Sequence, residues 1–281
     1  MIKYIQLIRV KHWIKNFLIF LPLIFSHSFD KIDFINIILG FLSFSFISSF
    51  VYIINDIKDL NNDKKHPKKK FRPLASNKIS ITSAIKISII LLIISLVVNY
   101  FITRSFFDKA SLVLVGYLII NILYSFGMKN MQILDVVLLA TGFILRVYYG
   151  AFIIDVPVSN WLFLTILNVS LYLGLGKRKK ELLIKDDVRK VLKHYDETFL
   201  DKFMNICLTL VIVFYSLWVI EQEIKFLFLS IPIVMIIFMQ YMLYMDKSDE
   251  GDPITILFEN KTIILTCCTY VIFMIITMFV I

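Results

Sequence analysis

Long apolar runs separated by short charged stretches dominate the pattern of this chain. Runs near twenty residues match the thickness of a bilayer's hydrocarbon core, and the spacing predicts helices over 17–29, 34–54, 84–102, 110–127, 131–154, 156–176, 203–221, 226–245 and 262–281. The first is the shortest, broken by Pro22 and by Ser26, His27 and Ser28. The expected architecture is therefore all-α: nine transmembrane helices in one integral membrane domain spanning 1–281, with cap loops at about 55–83 and 177–202.

Composition supports this reading. Of 281 residues, 59% are hydrophobic, 26 are phenylalanine and only 18% are charged, which excludes an ordinary soluble domain. The first sixteen residues carry Lys3, Arg9, Lys11 and Lys15 without the apolar core and small-residue cleavage site of a secretory signal. Cys207, Cys267 and Cys268 all fall inside predicted spans, so they are expected to be buried structural thiols. His12, His27, His66 and His194 show no metal-ligand spacing.

The net charge of +9 matters through its distribution. Of the 30 Lys and Arg, all but Lys31, Arg104, Lys109, Lys225 and Arg146 flank the same side of the predicted spans. By the positive-inside rule that side is cytoplasmic, which predicts a plasma-membrane protein with its N-terminus and polar chemistry inside and its C-terminus outside. No nucleic-acid partner is expected, and the sequence leaves room for a homo-oligomer.

The stretch NDIKDLNNDKKHPKKKFRP, residues 55–73, concentrates opposite charges. Asp56, Asp59 and Asp63 recur at i, i+3 and i+7, which on a continuous helix stacks three carboxylates along one face. Such a stack repels itself unless a cation sits within it. Mg²⁺ is the natural choice, because it takes one or two carboxylates and completes its octahedron with phosphate oxygens and water. Pro67 then stops the helix, and Lys68, Lys69, Lys70 and Arg72 supply charge for phosphate, the arginine as a fork and the lysines as point charges. Arg146 lies eleven residues beyond Asp135, close to the same helical face and about 16 Å deeper. A charge at that depth points into the bundle, where it pairs with an acid or reaches a phosphate of the donor or lipid.

The motif NDxxDxxxD followed by a basic RP segment resembles the first aspartate-rich motif of the UbiA superfamily of membrane prenyltransferases. The resemblance implies that Asn55, Asp56, Asp59 and Asp63 hold Mg²⁺ and a substrate diphosphate in a cavity opening to the cytoplasm and to lipid. Typical members carry a second aspartate cluster after the sixth helix. Here that place holds GKRKKELLIKDDVRKVLKHYDETFL, with Lys177, Arg178 and Glu181 at its start. Together with RVKHWIKN, YSFGMKNMQILD and HYDETFL, this resembles the decaprenyl-phosphate phosphoribosyltransferase branch.

Members of that branch couple phosphoribosyl pyrophosphate to a polyprenyl monophosphate and release pyrophosphate. The resemblance implies that Asp56, Asp59 and Asp63 serve the metal and leaving group. Lys68, Lys70, Arg72, Lys177, Arg178 and Glu181 would divide the remaining substrate contacts with Lys15 and Asn16 of the WIKN segment. Tyr124, Lys129 and Asp135 are expected at the same cytoplasmic face. Asp135 or a motif aspartate would steady positive charge on the sugar, and a lipid phosphate already ionised needs no general base. Two alternatives stay open: an ordinary prenyltransferase using prenyl diphosphate and an aromatic or small acceptor, and a transporter of lipid phosphate.

Overall fold

The structure, a computed structural model, describes residues 2–25, 30–66, 68–184, 190–248 and 251–279. Pro67 and His27 lie outside the described residues. The described chain is helical throughout. The helices are α1 (Ile2–Leu7), α2 (Leu21–Phe25), α3 (Lys31–Lys58), α4 (Leu60–Lys65), α5 (Ile81–Thr103), α6 (Lys109–Ser125), α7 (Leu134–Ile153), α8 (Asn160–Leu183), α9 (Glu197–Glu221), α10 (Ser230–Lys247), α11 (Pro253–Glu259) and α12 (Lys261–Phe279). Short 3-10 turns join several of them.

Six stretches among the described residues are long and apolar enough to cross a membrane: α3, α5, α7, α9, the combined segment Lys225–Lys247, and Lys261–Met278. Helix α6 is apolar but shorter. On α5, Ile85, Ile89, Ile90, Ile93, Val97 and Phe101 are all exposed, an apolar surface of the kind that lipid covers. The chain is an integral membrane protein.

Several boundaries differ from the sequence pattern for local physical reasons. Of the first predicted span, 17–29, the described residues are the end of a 3-10 helix, Val10–Phe20, and the short α2, Leu21–Phe25; the 3-10 helix is preceded by Arg9 in the left-handed region at φ 53°. The second predicted cap loop begins as helix, since α8 continues to Leu183 and places Lys177, Arg178 and Glu181 on its last turns. Helix α9 starts at Glu197, earlier than the hydrophobic pattern suggests, because Asp196 caps it by accepting the Phe199 N–H at 2.6 Å. Asp108 caps α6 in the same way, through Ser111 N–H at 2.7 Å. Among the cysteines Cys207 is buried as expected, whereas Cys268 is exposed on α12.

The chain divides into two compact units, Met1–Lys129 with Leu145–Pro157, and Asn130–Ile144 with Val158–Ile281. In the first, α3 packs along α5 through small polar residues. Ser43 Oγ donates to the Ser95 carbonyl at 2.9 Å, and Ser95 Oγ returns a bond to the Ser43 carbonyl at 2.8 Å. Small hydroxyl residues allow close helix approach and carry their own hydrogen bonds where water is absent. The core of this unit gathers Ile19, Ile37, Phe44, Ile47, Leu114, Tyr117 and Tyr149. In the second unit α8 packs chiefly on α9, around Tyr172, Leu175, Leu200, Met204, Tyr241 and Met245.

Gly150 is required by packing. A Cβ there would collide with the Ile19 backbone carbonyl, which rigid backbone cannot relieve. Gly150→Ala is expected to destabilise the protein by about 1–3 kcal/mol, the usual penalty for overpacking. Thermal denaturation in detergent checks this, and an unchanged melting temperature would contradict the contact.

Candidate active site

In the first unit the C-terminal end of α3 presents Asn55 and Asp56, and the helix breaks at Asp59. Its backbone sits in the bridge region at φ −88° and ψ 6° before α4 resumes with Asp63. The three aspartates therefore do not share one continuous helical face. Asp56 and Asp63 are both buried, at 3% and 4% exposure, and they converge on one group: Arg72 Nη1 lies 3.0 Å from Asp56 Oδ1 and 2.7 Å from Asp63 Oδ2. Arg9 also pairs with Asp56 Oδ1, its guanidinium resting over the Tyr52 ring. Asp59 turns elsewhere and receives Lys129 Nζ on both oxygens at 2.7 Å.

Sequence reasoning assigned Arg72 and Lys129 to substrate and passed over Arg9. Its signal was present, since Arg9 stands at the head of the RVKHWIKN stretch. Lys68 and Lys70 are exposed on the loop after α4, with Lys70 Nζ over the Phe71 ring. Lys15 and Tyr124 are half-buried.

These residues fit Mg²⁺ on the chemistry of their donors. Asn55 Oδ1, one residue before Asp56 at the end of α3, is buried with no hydrogen-bond partner, an orphaned acceptor. All are hard oxygen ligands. Among the described residues no three His, Cys, Asp or Glu side chains converge on a point. The protein would therefore supply part of a coordination shell, leaving the remainder to phosphate oxygens and water.

The Lys129–Asp59 pair is about one-fifth exposed on each side. Screening limits such a pair to under about 1 kcal/mol. Lys129→Met is accordingly expected to leave the melting temperature within a few degrees of wild type, and a larger drop would show that the pair braces the fold.

Deeper in the same unit Arg146 is 4% exposed. Its Nε donates to Asn16 Oδ1 at 2.7 Å and its Nη2 to the Tyr117 hydroxyl at 3.2 Å, and its guanidinium lies 5.1 Å from the rings of both Phe44 and Tyr117. Asn16 in turn donates to Ser45 Oγ at 2.9 Å. Of the two roles open to Arg146, this geometry favours the internal one: polar and aromatic groups offset its desolvation while it fastens the Val10–Phe20 segment to α7. The partner is a neutral amide, where an acid was one expectation.

The second unit holds a separate polar cluster. Arg178 and Asp135 are both fully buried, with Arg178 Nε 2.5 Å from Asp135 Oδ2. Arg178 Nη1 reaches Glu181 Oε2 at 2.7 Å. The other Asp135 oxygen accepts the Tyr195 hydroxyl at 2.7 Å, and that hydroxyl accepts the Ile133 N–H at 2.8 Å. Burial, reinforced by Asp135, pushes the Tyr195 hydroxyl up to about 12, so it remains a donor at neutral pH. Lys177 Nζ lies 3.5 Å from Asp252 and is one-third exposed. Arg178 and Asp135, both expected at the substrate, pair with each other inside the fold. Tyr195 was missed, although it belongs to the quoted HYDETFL stretch.

Comparison with known proteins sets these clusters in context. The model of the UbiA prenyltransferase family matches residues 17–261. A decaprenyl-phosphate phosphoribosyltransferase of Mycolicibacterium smegmatis is 29% identical over 228 residues, covering 78% of this chain and 70% of the relative. One from Mycobacterium tuberculosis is 27% identical over 280 residues, 95% of this chain and 91% of the relative. Among solved structures, a UbiA homolog from Archaeoglobus fulgidus bound to GPP and Mg²⁺ superposes with a TM-score of 0.74 at 19% identity, covering 98% of this chain and 99% of that one. That likeness shows a shared fold.

Proposed function

The chain belongs to the UbiA prenyltransferase family, and from that premise we propose that it transfers 5-phosphoribose from phosphoribosyl pyrophosphate to a polyprenyl monophosphate, releasing pyrophosphate. An oxygen of the lipid phosphate attacks the anomeric carbon while the bond from that carbon to the pyrophosphate oxygen breaks, so no oxidant or general base is required. The observation that carries the reading is the convergence of buried Asp56 and Asp63 on Arg72, with the unpartnered Asn55 carbonyl on the residue before Asp56. The names of the curated relatives favour this donor and acceptor.

In this reading Asn55, Asp56 and Asp63, with Asp59 at the helix break, hold Mg²⁺. When bound, the ion neutralises charge growing on the departing pyrophosphate. Arg72 holds the two buried carboxylates in register, and Lys68, Lys70 and Lys15 attract phosphate from exposed or half-buried positions. Lys177 at the end of α8 serves a phosphate of the donor or lipid. The reading includes nine membrane crossings, formed by the six long stretches together with α6, α8 and the Val10–Phe25 segment, with the N-terminus and the chemistry on the cytoplasmic side.

Pyrophosphate release by purified protein in detergent tests the proposal. One reaction holds Mg²⁺, phosphoribosyl pyrophosphate and polyprenyl phosphate; the other holds Mg²⁺, a prenyl diphosphate and an aromatic acid. Release in the first alone is expected. Release in the second alone would make this an ordinary prenyltransferase, and silence of folded protein in both would point to transport.

A further inference from the structure

Arg9 has no part in the reaction as described so far, yet it pairs with a buried carboxylate of the proposed metal site. Its backbone is unusual. It stands between α1 and the Val10–Phe20 helix at φ 53° and ψ 49°, the left-handed region, where glycine fits freely and any larger residue is strained. A side chain retained against that strain points to a task for it.

Asp56 Oδ1 accepts from two guanidiniums at once, Arg9 Nη2 and Arg72 Nη1. The two arginines are not equivalent. Arg72 also binds Asp63, so its withdrawal would leave two buried carboxylates without the cation that joins them. Among the described residues Asp56 is the one carboxylate that Arg9 pairs with. Arg9 also has a second support, the Tyr52 ring, whose centroid lies 4.9 Å from the guanidinium carbon. Tyr52 and Asp56 are four residues apart on α3 and share a face, so the guanidinium can leave the carboxylate and stay on the ring.

A carboxylate oxygen that coordinates a dication cannot also keep two guanidiniums within hydrogen-bond distance, because the three cations repel one another. One guanidinium must yield. We propose that Arg9 is the exchangeable counter-ion of the metal site: it holds Asp56 Oδ1, gives that oxygen up to Mg²⁺ and withdraws onto Tyr52, while Arg72 stays between Asp56 and Asp63. Arg9 is therefore a positioning residue that competes with the metal. The inference rests on the metal reading of Asn55, Asp56 and Asp63, adds what sets the affinity of that site, and uses residues of the first unit alone.

The test is Mn²⁺ binding to purified protein in detergent without substrate, read from the paramagnetic resonance signal of the free ion. Mn²⁺ stands in for Mg²⁺ because it takes the same oxygen ligands. A hydrogen bond between charged groups corresponds to roughly 10- to 150-fold in affinity. Arg9→Gln is expected to tighten Mn²⁺ binding at least tenfold, and Arg9→Lys, which keeps the charge, far less. The gain should vanish in an Asp56→Asn background, where no carboxylate remains to compete for. Thermal unfolding gives a second reading: Arg9→Gln should melt lower than wild type without the ion and gain more from a fixed Mn²⁺ concentration.

Unchanged or weaker Mn²⁺ binding by Arg9→Gln, beside Asp56-dependent binding by the wild type, overturns the inference alone and leaves Arg9 as a fixed brace. Tightening that persists in the Asp56→Asn background also overturns it, since the ion is then held elsewhere. Should Arg9→Gln fail to fold, Arg9→Gly provides the reading, because glycine suits the left-handed backbone and removes the competing group outright. Wild-type binding that Asp56→Asn does not alter overturns the proposed metal site together with the inference.

Discussion

Asp56→Asn is expected to lower Mg²⁺-dependent pyrophosphate release by about 10²- to 10³-fold, the range seen when one preorganised electrostatic contact to a transition state is removed. The substitution preserves size and a hydrogen-bonding oxygen, so packing at the end of α3 is retained. What it removes is the negative charge that both Arg9 and Arg72 address. These two arginine side chains are 15% and 28% exposed and can recover hydration, so the melting temperature should fall far less than the activity. Initial rates across a Mg²⁺ titration, paired with a denaturation curve, separate the two effects. Activity above a tenth of wild type would remove Asp56 from the proposed metal site.

The largest expected loss of stability follows from Arg178→Met. Methionine fills much of the volume but leaves Asp135, fully buried, with Tyr195 as its remaining partner shown here. Breaking a buried pair by removing one member costs about 3–5 kcal/mol, because the surviving charge stays desolvated. Thermal unfolding in detergent should therefore shift by many degrees, and the double substitution Arg178→Met with Asp135→Asn should recover part of the loss. A small shift in the single variant would mean that water reaches Asp135. Since the network is enclosed, the stability effect should appear with or without substrate.

The large features of the fold were legible from hydropathy, because in a bilayer every backbone polar group must be satisfied within its own helix and apolar length then maps onto helices directly. The predicted helices at 34–54, 84–102, 131–154 and 203–221 correspond to α3, α5, α7 and α9. Hydropathy failed where local hydrogen bonding competes with apolar length. The described part of the N-terminal run is divided between the end of a 3-10 segment that follows a left-handed Arg9 and the short α2, and α8 ran seven residues into the charged stretch because a helix continues as long as its charges find partners.

For the site, the sequence by itself determined the kinds of groups. Three aspartates and an asparagine from the end of α3 into α4, a basic RP segment beyond them, and lysine, arginine and glutamate at the end of α8 are the groups on which the proposed metal and phosphate chemistry rests. Only the tertiary structure decided which of these groups bind one another. It gave Asp56 and Asp63 to Arg72 and Arg9, Asp59 to Lys129, Arg146 to Asn16, and Arg178 to Asp135. Helical periodicity fixes which residues share a face of one helix, but these contacts join residues 9 to 130 positions apart and form only after the chain has packed.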